Sequence, residues 1–90
     1  MNKSRWQVII HRKAERVLKR LDADPLERIR RAVRELASEP RPAGCKKLTG
    51  YENLYRIRVG DWRIIYAIEE DQLIVLVLAI SPRGSAYRKI

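Results

Sequence analysis

One cysteine, one histidine and four glycines are the whole supply, in this 90-residue chain, of the residues that build metal centres, redox pairs and phosphate loops. A lone Cys45 excludes an internal disulfide and a cysteine zinc site, and it fits a reducing cytosol. It reads as a spare thiol in a loop. His11 has no second histidine to share a metal with, and no metal-ligand spacing occurs anywhere. There is no glycine-rich phosphate loop and no carboxylate pair beside a plausible pocket. The chain therefore calls for no metal and no cofactor. Long apolar runs are absent too. The longest, LIVLVLAI from Leu73 to Ile80, is far too short to span a bilayer. The opening MNKSRWQVII runs into HRKAER without a small-residue cleavage site, so no signal peptide is expected, and the expected location is the cytoplasm. Acidic residues are scarce: 11 stand against 20 Lys and Arg, a net charge of +9. A small domain so basic suits nucleic acid, an acidic protein partner or an anionic membrane surface. The membrane is the weakest of the three, because no segment forms a lipid-facing helix with a basic rim.

Residues 1–90 suffice for a single domain with one sheet and one helical layer. WQVII, Trp6 to Ile10, is short, branched and aromatic, and predicts a first strand at or near a sheet edge. His11 stands at the junction with a helix, where local capping is the expected role rather than general-base catalysis. From Arg12 to Leu21, the apolar residues Ala14, Val17, Leu18 and Leu21 recur at helical spacing. Asp24 reads as the N-cap of a second helix, with Pro25 at its first position and Glu27 three residues after the cap. That helix is predicted to reach about Ser38 and to bury Leu26, Ile29, Val33, Leu36 and Ala37. Arg28, Arg30, Arg31 and Arg34 lie on its other side, which reads as a solvated face. A helical hairpin of this kind can cover one face of a sheet.

The stretch from Leu48 to Arg83 organises everything else. Gly60-Asp61 is a hairpin signal between two extended, alternating runs. With those two residues as the loop, Val59 faces Trp62, Arg58 faces Arg63, Ile57 faces Ile64, Arg56 faces Ile65 and Tyr55 faces Tyr66. One face then carries Tyr55, Ile57, Val59, Trp62, Ile64 and Tyr66, and the other Arg56, Arg58 and Arg63. Leu73 to Ile80 predicts a central strand. A loop from Glu69 to Gln72 places Leu73 opposite Ile68 and Ala79 opposite Trp62, and brings Arg83 beside Arg58 and Arg63. Like charges so close repel, so the cluster asks for an anion.

Guanidinium forks bind phosphate and stabilise the charge of a phosphorane. RNA brings its own nucleophile, the 2′-hydroxyl, so a site that aligns the backbone and supplies positive charge can cleave it without metal. Tyr87 is within reach of the arginines. Free tyrosine titrates near about 10 and arginine above about 12, so neither is tuned to neutral pH. Such a site should be slow alone and should depend on something else to position the RNA.

KLTGYENLYRIRVGDWRIIYAI, followed by an apolar strand and by Arg83 with Tyr87 four residues later, resembles the RelE family of toxins, which shares a superfamily with the ParE gyrase poisons. The resemblance implies an α+β fold, an N-terminal strand and helical hairpin packed on a small, mainly antiparallel sheet. It implies ribosome-dependent cleavage of mRNA in the A site and neutralisation by an acidic antitoxin. The family's basic strand positions fall on Arg56, Arg58 and Arg63, and its late arginine and tyrosine on Arg83 and Tyr87. Lys46, Lys47 and Arg88 are expected to contact RNA beside them. Both second-strand positions are arginine here, where relatives often carry lysine. Ser81-Pro82-Arg83 replaces the Gly-His-Arg of many members, which leaves the proton donor for the departing oxygen unassigned. The alternative on the same fold is a ParE-like gyrase inhibitor without chemistry of its own.

Overall fold

The turn at Gly60-Asp61 fixes the middle of the structure, a computed structural model that describes residues 5–82. It joins β3 (Leu54–Val59) to β4 (Trp62–Glu69), antiparallel. The pairs are those the sequence predicts: Val59 with Trp62, Arg58 with Arg63, Ile57 with Ile64, Arg56 with Ile65 and Tyr55 with Tyr66. Gly60 takes a φ of 62° while Asp61 keeps a negative φ, the pattern of a type II′ hairpin turn. β5 (Ile74–Pro82) lies antiparallel on the other side of β4. β1 (Gln7–Ile10) adds to β5 in parallel as an edge strand, and β2 (Lys46–Lys47) pairs with β3 at the opposite edge. The order across the mixed sheet is β1-β5-β4-β3-β2.

α1 (Arg12–Leu18) and α2 (Ala23–Glu35) carry the chain from the β1 edge and cover one face of the sheet. Their apolar stripes supply Ala14, Leu18, Ile29, Val33 and Leu36, which interlock with Ile57, Ile64, Tyr66, Ile68, Val75, Val77 and Ile80. Each fully buried aliphatic side chain contributes about 1.5–3 kcal/mol through loss of contact with water. Tyr66 is the largest fully buried side chain, and its hydroxyl donates a 2.6 Å hydrogen bond to the carbonyl of Pro40. Burial, and after it the Cys45 thiol, pushes that phenol above its ordinary range.

Three expectations are corrected. The N-cap of α2 is Asp22, not Asp24; Pro25 is the third helical residue, and no side chain caps the helix. Proline tolerates this place because the first-turn amides have no intrahelical acceptor. The regular helices stop at Leu18 and Glu35, and single-turn bonds such as Leu21 N to Leu18 O and Ser38 N to Glu35 O finish each one. Cys45 is a free thiol in the loop before β2, as the sequence predicts; half-buried, it packs against the core next to the Tyr66 hydroxyl.

The third correction concerns β5. Its register differs from the forecast, pairing Ile68 with Val75 and Trp62 with Pro82. The loop is shifted by one residue, with Leu73 at a φ of 55°, so Glu69 pairs with Ile74. A bulge then intervenes between Ile65 and Tyr66, whose partners are Ala79 and Val77. Leu78 is the extra residue. The buried positions of β5 are accordingly Val75, Val77 and Ile80, a spacing of two and then three.

Candidate nucleic-acid interface

The helix-free face of the sheet is graded from charge to grease, and strand register alone produces the gradient. Nearest the hairpin tip, Arg58, Arg63 and Ser81 stand side by side on β3, β4 and β5. The next row inward is Lys46, Arg56, Ile65 and Ala79, and the one beyond it is Leu54, Ala67, Leu76 and Ile9. The two rows at the tip hold four cations and no carboxylate. Lys46 and Arg58 are exposed, whereas Arg56 and Arg63 are half-buried with their Nε atoms shielded from solvent. Ile65, at the floor of the second row, is fully buried. Positive charge above an apolar floor is less screened than in open water, and that strengthens its attraction for a phosphate.

The bulge decides what stands beside Arg63. Had β5 kept the register of its first half, Ile80 would oppose Arg63 and Ser81 would face the helices. One inserted residue turns Ile80 into the core and brings Ser81 next to Arg63. The Ser81 hydroxyl is shielded from solvent and has no hydrogen-bond partner among the described residues. The sequence gives no warning of this serine, because an unbroken apolar run has no alternation whose interruption could mark a bulge.

Of the residues singled out from sequence, Arg56, Arg58, Arg63 and Lys46 share this face. Lys47 does not: it pairs with Tyr55, on the helix side. Arg83, Tyr87 and Arg88 lie outside the described residues. His11 caps α1, its Nδ1 accepting from the Lys13 amide at 3.1 Å. A polar cluster that the sequence does not announce ties the loop before β2 to the sheet. Arg41 donates to the Tyr55 hydroxyl at 3.3 Å and to Glu70 at 3.0 Å, with its guanidinium 5.2 Å from the centre of the Tyr55 ring. The Tyr55 hydrogen bond, more than Glu70, holds Arg41 above the ordinary arginine range. Among the described residues no three His, Cys, Asp or Glu side chains come together as metal ligands. No described helix is long and apolar enough to cross a membrane.

The family described as the ParE toxin of the type II toxin–antitoxin system parDE matches residues 8–87. The candidate toxin RelE1 of Methanocaldococcus jannaschii is 30% identical over 87 residues, which is 93% of this chain and 97% of that protein. This chain belongs to the RelE family of the RelE/ParE toxins. It is, in consequence, a toxin of a type II toxin–antitoxin system. RelE in the crystal structure of the archaeal RelE–RelB complex from Pyrococcus horikoshii superimposes with a TM-score of 0.79 at 31% identity, over 88% of this chain and 96% of that one. The isolated E. coli RelE toxin shares the fold, with a TM-score of 0.76 at 19% identity and 93% of each chain covered. The RelE fold thus accounts for all five strands and both helices described above.

Proposed function

We propose that this RelE toxin is a ribosome-dependent endoribonuclease that cleaves mRNA in the A site without a metal ion. The observation that carries the reading is the carboxylate-free cluster of Lys46, Arg56, Arg58 and Arg63 on one sheet face. The RNA 2′-oxygen attacks the adjacent phosphorus and the bond from phosphorus to the 5′-oxygen breaks. The products are a 2′,3′-cyclic phosphate and a 5′-hydroxyl. Arg63 holds the scissile phosphate, and Arg56 and Arg58 bind the flanking backbone and the charge of the transition state. Arg83 assists the leaving oxygen, and Tyr87 orients or deprotonates the 2′-hydroxyl. The ribosome supplies the alignment of the RNA. An acidic, RelB-type antitoxin holds the toxin neutral by covering the basic face. RelB proteins accompany RelE in the archaeal complex structures, which supports that partner.

The ParE family match favours a second reading, a gyrase inhibitor that performs no chemistry. One comparison separates the two: mRNA cleavage on translating ribosomes against DNA-break accumulation with gyrase. Cleavage on ribosomes is expected, and Arg63→Ala should lower its rate by about 10²–10³. DNA breaks without mRNA cleavage would replace the ribonuclease reading with the gyrase one.

A further inference from the structure

Behind the arginine face, at the same end of the sheet, Pro25, Arg28, Val59, Asp61 and Trp62 line an open cavity of about 110 Å³. Val59 and Trp62 are the chain neighbours of Arg58 and Arg63, and they point to the helix side. Cavity and arginine cluster therefore stand back to back, joined around the Gly60-Asp61 turn. Arg28 reaches from α2 onto that turn. A Cβ at Gly60 would lie 3.2 Å from its Nη2, 3.5 Å from Nη1 and 3.6 Å from Cζ, so the missing side chain leaves the guanidinium its place. Arg28 and Asp61 are both exposed and line the same cavity, yet they make no ion pair with each other. Neither forms a side-chain hydrogen bond with any other described residue.

We infer that this cavity receives a guanine base of RNA. A carboxylate offers two acceptors side by side, and guanine alone among the four bases presents two adjacent donors, N1–H and the N2 amino group, on one edge. A guanidinium donates to the O6 and N7 acceptors of the same base. Trp62 supplies an indole surface for stacking, and Val59 and Pro25 an apolar lining. Adenine would set its N1 acceptor against the carboxylate, and cytosine and uracil each bring a single donor. Pockets for whole drug-sized ligands run to roughly 300–1,000 Å³. The space here suits a base alone, with ribose and phosphate outside, and the outward path leads around the turn to Arg58. The inference rests on the reading of RNA as substrate, and messenger and ribosomal RNA both contain the required guanine.

The test is a titration of the full chain, labelled with ¹⁵N, with guanosine 5′-monophosphate, adenosine 5′-monophosphate and inorganic phosphate. Guanosine monophosphate should shift the amides of Gly60, Asp61 and Trp62 and the Trp62 indole N–H, and bind at least about tenfold more tightly than the adenosine nucleotide. Asp61→Asn should abolish the preference, weakening guanosine monophosphate and relieving the adenine N1 acceptor of the opposing carboxylate, so that the adenosine affinity does not fall. Equal affinity for the two nucleotides, or shifts confined to the arginine strands and reproduced by inorganic phosphate, would overturn the inference. On ribosomes, a changed distribution of cut sites in Asp61→Asn identifies messenger RNA as the source of the base. Weaker ribosome binding with an unchanged distribution identifies ribosomal RNA. A parent protein that binds guanine selectively yet never cuts refutes the ribonuclease and keeps the guanine site. Cutting without guanine selectivity does the reverse.

Discussion

Tyr66 concentrates more of the structure on one side chain than any other residue. It fills the centre of the core, stacks on Tyr55 with ring centres 6.0 Å apart, and pins Pro40 through its hydroxyl. Tyr66→Phe keeps the ring and leaves a buried carbonyl without its partner, at a cost of about 1–3 kcal/mol. Thermal denaturation should record this as a fall in Tm of roughly 4–8 °C per kcal/mol. The pH dependence has a definite sign. Burial raises the folded-state phenol above its unfolded value, so its contribution is complete below the unfolded pKa, about 10, and is lost as pH rises beyond it. The stability gap between parent and Tyr66→Phe should therefore narrow above pH about 10, as followed by denaturant titration at a series of alkaline pH values. A gap that widens would mean that the phenolate, not the phenol, is the favoured buried form.

At the scale of elements, the β3–β4 hairpin is the part most legible in the sequence. Its two-residue turn and strict alternation leave one register, and that register sorts Arg56, Arg58 and Arg63 away from the helices. β5 is legible as a strand but not in its pairing, since eight consecutive apolar residues fit every register equally well and the bulge leaves no trace. β2 is not legible in the sequence, because two lysines at a sheet edge have the composition of a loop; they pair with Arg56 and Tyr55. The sequence points to Asp24 as the cap of α2 because Pro25 and Glu27 suit the first and third helical positions, but the helix begins two residues earlier, at Ala23, with Asp22 as its N-cap. The hairpin itself is testable through its turn. Gly60→Ala forces a Cβ into a left-handed backbone and toward the Arg28 guanidinium at 3.2 Å. Chemical denaturation should show a loss of about 1–2 kcal/mol, with an unchanged m-value if the strands still pair. No loss would mean that the turn relaxes to another type.

The whole molecule is a cationic body with a net charge of +9, and its affinity for RNA should report how much of that charge touches the strand. Contacts to phosphate from Lys46, Arg56, Arg58 and Arg63 alone correspond to a slope of log affinity against log salt of about −2.8. Binding of a single-stranded RNA oligomer should then weaken about 50-fold between 50 and 200 mM salt. A steeper slope would bring the arginines of α2 into the contact, and a flat one would deny that phosphate is what the sheet face holds. The sheet order also governs how the molecule comes into being. Among the described strands β1 has one neighbour, β5, so the first strand made waits for the last. At synthesis rates of about 5–20 residues per second, β1 stands unpaired for about 3–13 s while residues 11–73 are added. Only at the end of that interval, once residues 54–69 have been added, does the chain hold Arg58 and Arg63 on an open hairpin, without Ser81 beside them. The finished basic face exists only in a chain that has been made through β5.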